Sequence, residues 1–223
     1  MATVKPDRIL VDKKPTPWAK AHDHDDVVLK GWALVNRLVP ESYSKMARIK
    51  ILAHAIFASG CRQGTYNFNV WRIKQGSGWG SGLYKKEVYQ SGTTEEKDGE
   101  DIWVAGEVWR AYDSYEAGFA DYSMLLGFDK YQKAFDALHD DDIDPGTFAN
   151  MLKACGYWTS TREVKFTFNS ISRRIVNTLK AHGAEAITTQ EPEKWSSVKT
   201  SLAIGSIGAL LILVGTYLKE RGI

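Results

Sequence analysis

Apolar residues recur at helical spacing in six stretches of this chain and alternate with polar ones in a seventh region. The first helical stretch, VVLKGWALVNRL, follows Asp25-Asp26, a pair suited to a first helical turn. The second, PESYSKMARIKILAHAIF, carries Met46, Ile49, Leu52, Ala53, Ile56 and Phe57 on one face and stops at Ser59-Gly60. Residues 75–110 change character. Glycine-rich turns there separate the short alternating segments YKKEVY and IWVAGEVW, which predicts a small β-hairpin lobe inserted between helices. Helical spacing returns in DSYEAGFADYSMLL and DKYQKAFDALH. It continues in DDDIDPGTFANMLKACGY, with Asp144 as cap and Pro145 at the first helical position, and ends with TREVKFTFNSISRRIVNTLKAHG. The pattern predicts a mainly α (α+β) protein without internal repeats.

The two ends read differently. Residues 1–25 are rich in Pro, Lys and Asp and predict an extended arm, so residues 1–39 form an arm with its leading helix. The main domain then occupies 40–183, a polar linker 184–197, a hydrophobic helix of transmembrane type 198–218, and a basic tail 219–223. From Ser201 to Leu218 the chain has 18 residues without a charge, roughly 27 Å of helix at 1.5 Å per residue. Trp195 and Tyr217 lie near its ends, and Lys199, Lys219 and Arg221 flank it. Gly205, Gly208 and Ala209 give it a small-residue face for another helix, and a buried oligomer-core helix is the competing reading.

Composition narrows the function classes. Hydrophobic residues make up 43% of 223 and charged residues 25%, enough for a conventional core. A net charge of +2 without a dense Lys/Arg block argues against nucleic acid as a partner, and Arg173-Arg174 reads as a solvated helix face. Two cysteines, Cys61 and Cys155, are too few for a disulfide framework, although a single bridge stays open. Cys61 with His54 one or two turns back suggests a thiol hydrolase, against which stands a small buried thiol. His22 and His24 lack a distant third ligand. The aspartates at 140, 142 and 144 imitate a calcium loop but have Pro145 and Met151 where glycine and glutamate belong. No metal and no cofactor is expected. The eight Trp and ten Tyr suit either a core or a sugar-binding cleft.

The order of pieces carries more than any single motif. An apolar helix ends in Ala55-Ile56-Phe57-Ala58-Ser59-Gly60, and Asn69-Val70-Trp71-Arg72-Ile73-Lys74 follows. Then come Lys85-Lys86-Glu87-Val88, Trp109-Arg110-Ala111-Tyr112-Asp113-Ser114, Ala120-Asp121-Tyr122 with Leu125-Leu126, and Gly156-Tyr157-Trp158-Thr159. Across roughly residues 40–180 this order resembles glycoside hydrolase family 73. Those are the peptidoglycan N-acetylglucosaminidases, including the hydrolase domain of flagellar-assembly proteins and phage cell-wall hydrolases. The family patterns are Ala-x-x-Glu-Ser-Gly, Asn-x-Phe-Gly-Ile-Lys, Thr-x-Glu-Tyr, Phe-Arg-x-Tyr-x-Ser and Gly-Tyr-Ala-Thr. The Gly-Ser-Gly-Trp-Gly-Ser-Gly run at 76–82 imitates the family's Ser-Gly-Trp-Gly, but no apolar helix precedes it and Asn69 would lie on the wrong side.

The resemblance implies a lysozyme-like two-lobed fold with a β flap over a cleft, and peptidoglycan glycan strands as the partner. It implies Ala58 at the position of the general acid, Glu87 as the second carboxylate, and Asn69, Trp71, Tyr112 and Tyr157 as substrate-binding residues. The departures fall at Ala58 for glutamate, Trp71-Arg72 for Phe-Gly, and Cys61 for a turn Trp. Cleaving a β-1,4 glycosidic bond needs a proton donor for the leaving oxygen, so the chain as written is expected to be inactive. Glu95, Glu96 and Glu100 read as solvated residues of a charged loop. A catalytic residue replaced by alanine and a degenerate relative both fit. So does a non-catalytic structural or cell-wall-binding protein on the same fold, and a membrane-lesion protein driven by the tail is a third reading. The tail adds the membrane, and other virion or envelope proteins, as expected partners. The expected location is membrane-associated, facing the periplasm or carried in a phage virion.

Overall fold

Helix starts are set by short polar side chains that satisfy the first free N–H groups. In the computed structural model, which describes residues 3–5, 7–20, 23–60, 65–76, 85–97, 99–158 and 164–184, α1 spans His24–Leu38 with Asp23 accepting from the Asp26 N–H at 2.8 Å. Helix α2 (Lys45–Ala58) starts under Ser44, which accepts from Ala47 N at 3.0 Å. Helix α3 (Tyr115–Leu126) starts under Ser114, and α5 (Pro145–Ala154) under Asp144 with Pro145 in its first turn. Each such cap stabilises its helix by about 1 kcal/mol. Among the described residues, α4 (Gln132–His139) and α6 (Val164–Ala181) complete the set of α-helices, and Arg173 and Arg174 are exposed on α6.

Helix α2 is the axis of the helical body, because ten consecutive residues from Ala47 to Ile56 are buried. Three of them are basic or titratable, and each finds a partner, as burial requires. Arg48 donates to the Pro40 carbonyl at 2.7 Å and ties down the α1–α2 connection. Lys50 donates to the carbonyls of Ala137 and Asp140 at 2.7 and 2.6 Å, so a buried ammonium caps the C-terminal end of α4. His54 Nδ1 shares a hydrogen with the Tyr122 hydroxyl at 3.0 Å.

The sheet has three strands in the order β1 (Ile9–Leu10), β2 (Glu87–Lys97) and β3 (Glu100–Arg110). Strand β1 runs parallel to the start of β2, and β2 and β3 form an antiparallel hairpin from Val88↔Arg110 to Lys97↔Glu100. Between Ser91↔Glu107 and Thr93↔Val104 strand β3 holds one residue more than β2, a bulge relieved by Gly106 at φ 77°. The hairpin is longer than the two alternating segments predict, since the charged residues Glu95 and Glu100 belong to strands and not to a loop. An outer hairpin exposed to water on both faces tolerates such charges, so alternation fades there.

The mixed α+β architecture of helices around α2 with a small hairpin is as expected. The N-terminal segment is fastened to the rest of the domain. Besides β1, Thr16 N donates to Thr65 O at 3.0 Å, and Lys14 exchanges hydrogen bonds with Asn67. Trp18 is only 1% exposed, its indole N–H donating to Val27 O at 2.9 Å. A single large ring is enough to anchor an otherwise polar segment to the core. Residues 185–223, including the hydrophobic helix expected at 198–218, lie outside the described residues, as does Cys61. Among the described residues no helix is long and apolar enough to cross a membrane.

Candidate functional site

A cleft of about 750 Å³ is bounded by the C-terminal end of α2, the loop at 71–76, the hairpin, and Tyr157-Trp158 after α5. Helix α2 reaches this wall and stops abruptly. Ser59 N still bonds back to Ala55 O at 3.0 Å, but Gly60 takes φ 59° and donates to Phe57 O at 3.1 Å. A left-handed residue just past the last turn ends a helix and satisfies its carbonyls. Ala58 is therefore held at the cleft wall by backbone geometry, and it offers a methyl group there.

The loop that forms one side of the cleft is organised by Asn69. Its Oδ1 accepts from Ile73 N at 2.8 Å, and its Nδ2 donates to the carbonyls of Ile73 at 2.8 Å and Arg110 at 2.9 Å. With the residue 1% exposed, both of its donors and its amide oxygen go to shaping the loop and tying it to β3. Trp71 lines the cleft and stacks on Tyr122 with ring centroids 4.9 Å apart and planes 10° apart. Its neighbour Arg72 lies at φ 55°, donates to Gly92 O at 2.9 Å and places its guanidinium 4.0 Å from the Trp109 ring centroid.

Tyr112 and Tyr157 play different parts. The Tyr112 hydroxyl donates to Asp121 Oδ2 at 2.5 Å, and the same oxygen accepts from Arg110 Nη1 at 2.7 Å. Burial, followed by the Asp121 carboxylate, pushes the Tyr112 hydroxyl well above its ordinary range. Tyr112 is thus an internal strut and does not line the cleft. Tyr157 does line it, while its hydroxyl donates to Trp71 O at 2.8 Å; burial raises this hydroxyl also. One ring thereby braces the floor against the segment after α5.

Glu87, the expected second carboxylate, is the first residue of β2, where it pairs with Ile9 of β1 and accepts from Ala111 N at 2.9 Å through its carbonyl. It is not among the residues lining the cleft. Among the described residues, the carboxylate that does line it is Glu95, near the end of β2, where it pairs with Ile102 of β3. Lys74 Nζ holds Glu95 at 2.6 Å and reaches Glu107 at 3.3 Å. The available signal was the Asp98-Gly99 dipeptide, a strong hairpin-turn cue that extends the strands on either side of it and carries Glu95 into β2. The structure thus brings Ala58, Trp71 and Tyr157 together at one cleft with Glu95. It leaves Asn69, Tyr112 and Glu87 in the framework around it.

His54 sits one turn before Ala58, fully buried among Tyr122, Tyr157, Trp158 and Phe168. Burial lowers its pKa to about 3, so the ring is neutral at ordinary pH. A group so enclosed does not reach a substrate, which removes the histidine from the thiol-hydrolase reading. Among the described residues no cluster of three or more His, Cys, Asp or Glu is placed to hold a metal ion.

No protein-family model matches the chain, and no curated protein sequence does. Among the solved structures similar to this chain are two hydrolases. A peptidoglycan hydrolase mutant from Sphingomonas sp. A1 has 24% identity and a TM-score of 0.50, over 71% of this chain and 98% of that one. A C-terminally truncated glycoside hydrolase domain from Salmonella typhimurium FlgJ has 26% identity and a TM-score of 0.46, over 71% of this chain and 99% of that one. The chain shares the fold of the Sphingomonas hydrolase.

Proposed function

We propose that residues 40–183 form a peptidoglycan-binding domain of the N-acetylglucosaminidase type, built to cleave β-1,4 glycan bonds and inactive as written. The observation that carries this reading is the cleft itself. It runs between the end of α2 and a β-hairpin, is rich in aromatic rings, and has a carboxylate, Glu95, on the hairpin side. The motif order of family 73 and the shared fold of a peptidoglycan hydrolase support it.

Glycosidic cleavage requires a carboxylic acid to protonate the leaving oxygen, and a second group to steady or attack the sugar ring. A carboxyl group at position 58 would stand at a helix end beside Phe57 and Trp158, apolar neighbours that disfavour its charged form. It would then hold its proton near neutral pH. Glu95, oriented by Lys74, is the second carboxylate in this reading. With alanine at 58 the proton donor is missing, and general acid help of about 10²–10⁴ in rate is lost. The hydrophobic segment 198–218 would hold the domain at a membrane or in a phage virion, facing the cell wall.

A non-catalytic, cell-wall-binding role is the second reading, favoured by the methyl group at position 58 in an otherwise open cleft. One comparison separates the two. Purified peptidoglycan is incubated with this chain and with Ala58→Glu, and the soluble fragments are identified by mass and reducing-end analysis. Release of fragments ending in N-acetylglucosamine by Ala58→Glu alone supports the hydrolase reading. Binding of glycan by both without cleavage by either supports the second. Failure of both to bind or cleave peptidoglycan overturns the proposal.

A further inference from the structure

Trp103 is 71% exposed, the second most exposed large hydrophobic residue among the described residues, and it lines the cleft. Its position is not that of a free surface ring. A Cβ on Gly92 would lie 2.1 Å from Trp103 Cζ2 and 2.7 Å from Cε2, so the benzo ring rests on a stretch of β2 that only glycine leaves open. The register agrees: Trp103 pairs with Thr94, next to the bulge opposite Gly92. That strand is itself braced, because Gly92 O accepts from Arg72 and Ser91 O accepts from the Trp109 indole at 3.2 Å. One face of the Trp103 ring is thus seated on a fixed backbone and most of the rest is open to solvent. Five consecutive residues of β2, Ser91 to Glu95, line the cleft beside it.

A seated, solvent-facing indole beside a cleft suits a ligand that is flat, apolar on its faces and polar at its rim. A pyranose ring has that character: its axial C–H bonds form an apolar face, and its hydroxyl and acetamido groups stay in water. Aromatic rings serve such contacts because they offer a large rigid surface and lose little rotamer freedom. We infer that Trp103 is a stacking platform for one sugar ring of a β-1,4-linked N-acetylated glycan, at a subsite removed from Ala58 on the hairpin side of the cleft. This rests on the glycan-cleft reading above and extends it to a residue outside the motifs of the resemblance.

The test is binding, which needs no catalysis. The full chain, Trp103→Ala and Trp103→Phe are titrated with β-1,4-linked N-acetylglucosamine dimer and hexamer by calorimetry, and sedimented with purified peptidoglycan. Melting temperatures check that the exposed substitutions leave the fold intact. The expected result is hexamer binding weakened about tenfold or more in Trp103→Ala and largely kept in Trp103→Phe. Trp103→Ala should affect the dimer, which is too short to span the cleft, much less. Equal hexamer and peptidoglycan binding by the full chain and Trp103→Ala overturns the platform and leaves the glycan-cleft reading standing. No binding of peptidoglycan or hexamer by the full chain overturns both.

Discussion

The guanidinium of Arg72 lies 4.0 Å from the centroid of the Trp109 ring, on a backbone held at φ 55°. The resemblance to family 73 expects glycine at this position, and the left-handed φ explains why glycine suits it. In this chain the side chain offsets the backbone cost by stacking on Trp109 and bonding to Gly92 O. Alanine here loses the stack and the bond, and keeps the strain. Glycine loses them and relieves it. Arg72→Ala is expected to cost about 1–2 kcal/mol, with Arg72→Gly about 1 kcal/mol more stable than Arg72→Ala. Urea denaturation of both reads the difference, and equal stabilities would count against a strained residue 72.

Arg110 and Asp121 form an ion pair with both side chains at 0% exposure. Tyr112 donates to the same carboxylate oxygen. Replacing the carboxylate removes the charge opposite a buried guanidinium, which is much more costly than losing one neutral donor. Asp121→Asn is expected to cost about 3–5 kcal/mol, and Tyr112→Phe about 1–3 kcal/mol. Chemical denaturation checks the order. An Asp121→Asn protein within 1 kcal/mol of the parent, on the scale of a surface pair, would mean that the charge is not sealed from water.

His54 makes stability depend on pH. In the unfolded chain a histidine takes up its proton near pH 6.5, whereas native His54 holds off until about pH 3. Below 6.5 the unfolded state therefore binds more protons, so stability falls as the solution is acidified through this window. His139, lowered by partial burial, acts in the same direction. His54→Phe should flatten the decline between pH 6.5 and 5 without abolishing it. The fully buried His54 alone contributes up to about 1.4 kcal/mol per pH unit. Melting curves across that range decide, and an unchanged slope would acquit His54.

Glu95 and Glu87 are distinguished in the Ala58→Glu background. Adding Glu95→Gln should reduce peptidoglycan cleavage by about 10²–10⁴, whereas adding Glu87→Gln should change it little. The reverse order would return the second carboxylate to the start of β2. Fragment release over time, with melting temperatures as a control, is the measurement.

Much of this fold was legible in the sequence because it is locally encoded. Asp144-Pro145 announces α5, the Asp25-Asp26 pair opens α1, and Ser59-Gly60 stops α2; each acts within one helical turn. The site was legible in part. Ala58, Trp71 and Tyr157 reach the cleft, while Asn69 and Tyr112 spend their polar atoms on Ile73, Arg110 and Asp121 inside the framework. Glu95 was hidden in a run of charges that blurs strand alternation.

The sequence by itself determined where helices begin and end, that a hairpin interrupts them, and that position 58 carries no proton. Those properties depend on near neighbours and on the identity of a single side chain. Only the tertiary structure decided which carboxylate faces the cleft, that the N-terminal arm is fastened through Trp18, and that Trp103 is seated on Gly92. Each of these depends on a partner distant along the chain or across a bulged strand pair, and a one-residue shift in register reverses which face a side chain takes.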